Sequence, residues 1–217
     1  QIKRCDAIPS NFGVTPAMVQ PLMPEGSDLL QEIAAGFVYI ADCEPLSGIS
    51  LWDGSKSGLN KDMEFMISTL PRYVSPAMAL FHVDRFGKLL PIAIQLHQEP
   101  GSTVWTPLDD DAEWLFAKLF YKVADSNMHQ MVHHLLETHL ITESFAVASI
   151  RQIAPCHPVM KLFHHHFVGL MAINTLGRNI LISDGGIADI TMSTGGGGHI
   201  ELMTKYYTRF QQLAVSR

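Results

Sequence analysis

Eleven histidines occur among the 217 residues, and nine of them lie beyond position 128: His129, His133, His134, His139, His157, His164, His165, His166 and His199. Neutral imidazole is the commonest protein metal ligand, so four histidines within positions 129–139 make metal binding the first chemistry to weigh. On an α-helix His129 and His133, at i and i+4, share a face, as the two histidines of a zincin helix do. The zincin glutamate would follow the first histidine, and Gln130 stands in its place, so that hydrolytic chemistry lacks its base. His134 and His139, at i and i+5, fall about 140° apart on an ideal helix of 3.6 residues per turn. They could bind one ion only if a π-bulge brought them together, a rare feature that is frequent at functional sites. A histidine on a buried helix is otherwise a core residue hydrogen-bonded to a carboxylate or a carbonyl. A metal pair built on His133, His134 and Glu137 would need more converging carboxylates than the helix offers. The run His164-His165-His166 faces three directions and reads as partly exposed or hydrogen-bonded packing.

The elements that must position these residues divide the chain into halves of unlike texture. Positions 1–101 are punctuated by Pro and Gly, which leaves little room for helices longer than about three turns. Within them 36–41 and 89–96 are short apolar runs rich in β-branched and aromatic residues and read as strands. Asp84-Arg85-Phe86-Gly87-Lys88, between 78–83 and the second of those runs, has the pattern of a hairpin turn with glycine near its tip, which predicts a small antiparallel sheet.

Positions 102–217 read as helical. Asp109, Asp110 and Asp111 place negative charge at the positive end of a helix that continues through Trp114 to Tyr121. At Asp125-Ser126-Asn127, with Gln130 in capping-box spacing, either a new helix starts or one long helix bends. Apolar residues surround much of the cylinder over 128–150, which predicts burial on most sides. Pro158 is placed as the first residue of a further helix over about 159–175, and a last helix is expected over about 199–214. The four glycines Gly195-Gly196-Gly197-Gly198 lack the lysine of a phosphate loop and the spacing of a dinucleotide fingerprint, and read as a supple connection. No repeat or long linker separates independent domains, so the two halves are expected to pack as one body.

Composition narrows the function classes. Apolar residues make up 47% and charged residues 17%, outside the range of chains that stay disordered. A net charge of −6 with no basic block sets nucleic acid aside as a partner. Cys5, Cys43 and Cys156 are odd in number and far apart, which fits reduced thiols in the cytosol rather than a disulfide framework. No run reaches the roughly 18 apolar residues of a membrane span, and the start Gln1-Ile2-Lys3-Arg4 is neither a signal peptide nor an initiator methionine, so the chain is expected to be trimmed.

Trp114-Leu115-Phe116-Ala117-Lys118, His129-Gln130-x3-His134-Leu135-Leu136-x2-His139-Leu140, Arg151-Gln152-x4-His157-Pro158, Ile173-Asn174-Thr175 and Thr194-Gly195-Gly196-Gly197-Gly198-His199 stand in the order found in animal lipoxygenases. Ile8-Pro9-x-Asn11-Phe12, Asp42-Cys43-Glu44-x-Leu46-x-Gly48-Ile49 and Pro91-Ile92-Ala93-Ile94-Gln95-Leu96 extend the resemblance over nearly the whole chain. The resemblance implies a mainly α fold, part of the large helical lipoxygenase catalytic domain, with a small antiparallel β element in the first half. It implies a loop- and strand-rich half over 1–101 and a helical iron-site segment over 102–217. The family's amino-terminal β-barrel and the later part that bears its remaining iron ligands would lie outside this chain.

By position, the resemblance assigns His134 and His139 as ligands of one non-haem iron, and it is what implies the π-bulge between them. It implies hydrogen abstraction from a polyunsaturated fatty acid, arachidonate in the nearest comparison, and addition of O2 to give an R hydroperoxide at carbon 8. Leu135, Leu140, Ile173 and Leu181 fall where the family lines its fatty-acid cavity, although a stripe of Leu and Ile is more often plain core. Gly177 falls where enzymes forming S products carry alanine and those forming R products glycine; a glycine needed for packing or a bend is the plainer alternative. With Leu135 it is assigned to control of oxygen entry. Arg178 is a candidate for the substrate carboxylate or for an ion pair, the latter favoured. Gln130 is a candidate partner of the ligand histidines, and His199 is expected beside the cavity. Calcium would act only outside this segment. A cytoplasmic enzyme that meets membranes reversibly, through a domain not in this chain, is expected. A lipoxygenase-shaped protein that binds lipid without turnover is the competing reading.

Overall fold

The computed structural model describes residues 2–53 and 70–215. It is mainly helical with one antiparallel sheet, and it divides into two compact units. The first comprises Gln1–Gly48 and Val74–Met128; the second comprises Ile49–Tyr73 and His129–Arg217. The helix that follows position 102 clusters with the sheet in the first of them.

In the first unit five strands pair in sequence order: β1 (Lys3–Arg4), β2 (Val38–Asp42), β3 (Met78–Val83), β4 (Leu89–Gln95) and β5 (Val104–Trp105). The hairpin expected from Gly87 is present. Asp84 Oδ1 accepts from the N–H groups of Phe86 and Lys88, both at 2.8 Å, and Gly87 takes φ +76°, a left-handed conformation that favours glycine. A bulge at Leu80/Phe81 shifts the register of β3 on β4. Val38, Ile40, Met78, Leu80 and Ile92 pack with Phe12, Val19, Leu29 and Ile33 into one cluster. Burial of each such side chain contributes about 1.5–3 kcal/mol before the entropy of ordering is subtracted. After the single turn α1 (Pro16–Val19), Leu29 and Ile33 come from α2 (Leu29–Ala35), started by a capping box between Asp28 and Gln31 and ended at Gly36 with φ +86°. Glu32, on the same helix, accepts from Ser27 Oγ at 2.5 Å and pairs with the buried His82 at 2.9 Å. The ring of Phe81 meets that of Tyr121 edge-on at 5.8 Å, joining the sheet to α3 (Asp111–Asn127). The aspartate cluster caps α3 as expected: Asp110 Oδ1 accepts from Ala112 N at 2.9 Å.

Asn127 ends α3 without a break in the helical backbone. Its side-chain amide donates to Val123 O at 2.8 Å, Met128 keeps a right-handed helical conformation, and the winding changes instead to a π-helix, π1 (Met128–Ile141). From His129 onward the second unit continues through α4 (Thr142–Gln152), α5 (Pro158–Phe167), α6 (Leu170–Leu176), a second π-helix π2 (Gly177–Leu181), α7 (Ile187–Thr191) and α8 (Gly198–Val215). Three expectations change here. Burial along 128–150 stops partway: Met131, Val132, Leu135, Leu136 and Ala146 are buried, whereas Phe145 and Ile150 are exposed. The helix expected over 159–175 is two helices, parted by an extended Val168 and by Gly169, whose φ of +77° precedes the second. The four glycines are not a supple connection. A Cβ at Gly195 would collide with Asp189 O and one at Gly198 with Ser50 O, so these positions are glycine because backbone segments touch there. Ser50 and Glu201 hold that approach: the N–H and hydroxyl of Ser50 donate to the Glu201 carboxylate at 2.8 and 2.7 Å and lower its pKa.

Candidate functional site

In an α-helix fifth neighbours point about 140° apart, but in a helix closed by i→i+5 hydrogen bonds the wider turn brings them toward one face. His129, His134 and His139 therefore form one stripe along π1, with centroid separations of 6.3 Å for the first pair and 5.1 Å for the second. Side-chain donors attach to carbonyls inside the π segment. The Thr138 hydroxyl donates to His134 O, the Thr142 hydroxyl to Glu137 O at 3.4 Å, and the Asn174 amide to His139 O at 2.9 Å. Back-bonding of this kind competes with the regular ladder and bends or loosens a helix locally.

The remaining histidines sort themselves by partner. His133 Nδ1 lies 2.8 Å from Glu137 Oε2, and the Tyr206 hydroxyl donates to the other oxygen of that carboxylate at 3.0 Å. Burial and the Glu137 bond push the Tyr206 phenol up to about 12. His133 is thus the carboxylate-bound histidine of the conservative reading, and Glu137 serves it rather than His134. The set His133, His134 and Glu137 is not assembled. Among the described residues no group of three or more His, Cys, Asp or Glu side chains could hold a metal together. His164, His165 and His166 are all exposed.

His134 and His139 differ from these in that an amide holds each ring by Nδ1. Gln130 Oε1 is 3.2 Å from His134 Nδ1, and Asn174 Oδ1 is 3.1 Å from His139 Nδ1. An amide oxygen only accepts, so each Nδ1 carries a proton, and the neutral form of each ring then offers its lone pair at Nε2. Both rings line a cavity of about 390 Å³. Two neutral imidazoles in this tautomer fit two positions of a non-haem iron, and they are the ligands this chain's described residues can offer.

The same cavity is lined by Gln130, Leu135, Leu140, Ile173, Gly177, Arg178 and Leu181. Every substrate residue expected from the sequence is therefore brought to it except His199. That histidine is buried behind the wall, with Nε2 donating to Ile182 O at 3.0 Å and Nδ1 facing Asp189 Oδ1 at 3.6 Å. Arg178 forms the ion pair, bidentate to Glu143 at 2.8 and 3.1 Å, which holds the Glu143 carboxyl below its usual range. Gly177 opens π2 in an ordinary helical conformation (φ −58°), and a Cβ built on it meets nothing within 4 Å. Neither a bend nor close packing calls for glycine there. A larger open hollow of about 650 Å³ in the first unit, lined by Phe86, Trp114 and Lys118 among others, contains none of these residues.

Two residues escaped the sequence reading. Asn174 is 3% exposed, and Glu143 joins it to Arg178, with Asn174 Nδ2 donating to Glu143 Oε2 at 2.7 Å. The available signal was a lone amide inside the apolar run 170–176, which must find partners if it is buried.

The family model described as Lipoxygenase matches residues 67–216. The allene oxide synthase-lipoxygenase protein of Plexaura homomalla is 42% identical over 216 residues, covering 95% of this chain and 20% of that protein. The anaerobic crystal structure of a LOX in complex with arachidonate superposes with a TM-score of 0.81 at 43% identity, over 94% of this chain and 30% of that one. The crystal structure of coral 8R-lipoxygenase does so with a TM-score of 0.80 at 42% identity, over 94% and 28%. The chain thus spans from a fifth to less than a third of the length of these proteins.

Proposed function

The chain belongs to the lipoxygenase family, and we propose that it carries two ligands of the iron site and much of the substrate cavity of an iron-dependent fatty-acid dioxygenase that makes an R-configured hydroperoxide. The observation that carries this reading is the approach of His134 and His139 on π1, each oriented by an amide, at the wall of an apolar cavity. Iron bound there would supply the one-electron oxidation that removes a hydrogen atom from a doubly allylic carbon. The protein's own part is alignment. Leu135, Leu140, Ile173 and Leu181 offer an apolar wall to an acyl chain and keep water from the pentadienyl radical. Gly177 leaves a methyl-sized space in that wall, through which O2 reaches one end and one face of the radical.

Arachidonate as substrate is supported by the arachidonate complex of the similar LOX, and oxygenation at carbon 8 with R handedness by the likeness to coral 8R-lipoxygenase. The setting proposed is the cytoplasm, with reversible docking on membranes through a part of the protein outside this chain; cell fractionation tests it. For the activity, the complete enzyme is analysed for bound metal and for conjugated-diene absorbance on adding arachidonate. Iron near stoichiometry with diene formation is expected. Lipid binding without iron or dienes would establish the non-catalytic alternative.

Gly177→Ala gives the sharper result. The added methyl enters open space in the cavity, so the product mixture is expected to move from the R hydroperoxide toward an S product at another carbon, by at least about tenfold in ratio, the effect of roughly 1.4 kcal/mol between two transition states. Chiral chromatography of the hydroperoxides decides it. Unchanged position and handedness would remove Gly177 from oxygen control.

A further inference from the structure

The chain His139, Asn174, Glu143, Arg178, buried at Asn174 and reaching the surface at Arg178, has a direction that hydrogen-bonding chemistry imposes. Asn174 Nδ2 lies 2.7 Å from Glu143 Oε2 and 2.9 Å from the carbonyl of His139. Both of those atoms are acceptors only, so the amide nitrogen must face them and Oδ1 must face the His139 ring. The orientation of the amide, which electron density alone seldom settles, is here fixed by its two other contacts. With Oδ1 at 3.1 Å from His139 Nδ1, the ring has one tautomer, protonated on Nδ1. The Glu143 carboxylate is in turn held by the two-pronged Arg178 contact at 2.8 and 3.1 Å, so it cannot rotate away from Asn174 without breaking a charge-assisted pair. The elements matter as well. Asn174 sits on α6, Arg178 on π2 and Glu143 on α4, and the amide also reaches back to the backbone of π1 at the residue whose ring it holds. His134 has no such support: its partner Gln130 is exposed, on its own helix, and 3.2 Å away.

We infer that Asn174 is a positioning residue for the metal site, fixing the tautomer and the ring plane of His139, and that Glu143 and Arg178 lock Asn174 in the orientation this requires. The inference rests on His139 being an iron ligand, as proposed above. It implies an asymmetry between the two imidazoles, His139 set rigidly from outside its helix and His134 held loosely from within.

The complete enzyme tests it through the metal rather than through turnover alone. Asn174→Leu keeps the volume and removes every hydrogen bond. It is expected to lose iron to a chelator about 10–100-fold faster, the usual range for removing a partner of a ligand histidine, and to change the electron paramagnetic resonance spectrum of the oxidised ferric protein. Glu143→Gln keeps an oxygen that can accept from Asn174, whereas Glu143→Leu does not. The glutamine variant should hold the parent spectrum and iron-loss rate to within about threefold, and the leucine variant should shift toward Asn174→Leu. If Asn174→Leu fails to fold by circular dichroism, the Glu143 pair alone decides. Folded variants with the parent's iron-loss rate and ferric spectrum overturn the inference while leaving the dioxygenase reading intact. A parent enzyme that takes up no iron and forms no dienes removes both.

Discussion

Replacing His139 by alanine in the complete enzyme is expected to reduce both retained iron and the rate of diene formation by more than about 100-fold, and replacing His134 is expected to do the same. Removing a group that only supports a ligand histidine already costs about 10–100-fold in metal affinity or activity, so removing the ligand must cost more. The comparison that gives the result its meaning lies on the same helix. His133 is equally central in the sequence, but its Nδ1 is engaged by Glu137 and it does not line the cavity. His133→Ala should therefore lower stability, by taking the imidazole partner from the Glu137 carboxylate and the edge-on ring contact from Tyr206, while iron per folded molecule stays near the parent value. His129→Ala, exposed at the end of the stripe and outside the cavity, should change neither. Elemental analysis of purified variants and initial rates by absorbance separate the four substitutions. A His139→Ala protein fully loaded with iron would show that the pair on π1 does not hold the metal.

That contrast also marks how far the site could be read from the sequence. Regular helical geometry favours His129 with His133, because side chains at i and i+4 share a face. The winding that brings His134 to His139 leaves no mark in hydrophobic periodicity over so short a stretch, and only the resemblance to lipoxygenases pointed to the pair. Gln130, Leu135, Leu140, Ile173, Gly177, Arg178 and Leu181 come to one cavity for the same reason: two stretches, 130–140 and 173–181, converge through two changes of helical winding that no local pattern announces. Asn174 was legible in principle, as an amide in an apolar helix. Glu143 was not, since a carboxylate in the first turn of a helix ordinarily faces water.

The fold was legible where local chemistry decides it. Asp84 and Gly87 make a hairpin by themselves, and the short apolar runs on either side supply its strands. Asp110 caps α3 and Pro158 opens α5 in the way their side chains dictate. Strands β1 and β5 have two residues each, too few for any period, and exist because the edges of β2 and β4 offer unpaired backbone groups to them. Gly169 was visible as a glycine inside an apolar run, but the left-handed φ that splits the helix there is a property of the folded chain.

The glycines give the second large effect, and its sign depends on what a methyl group would meet. Gly195→Ala drives a Cβ into the carbonyl oxygen of Asp189, which lies on α7 and is itself completely buried, with its carboxylate accepting from Gly185 N and Gly197 N at 3.0 and 2.8 Å. The backbone cannot give way without disturbing those bonds. The expected destabilisation is about 3 kcal/mol, the upper part of the range for overpacking a close-packed site. Gly177→Ala, by contrast, adds a methyl in helical conformation to open space, and is expected to stabilise by about 0.4–1 kcal/mol through the unfolded chain. Denaturant titration of the second unit's unfolding in the complete enzyme measures both. A Gly195→Ala protein as stable as its parent would mean that the glycine run is slack after all. A Gly177→Ala protein that is markedly less stable would mean that glycine is needed there for packing, and a change in its product could then no longer be credited to a path for oxygen.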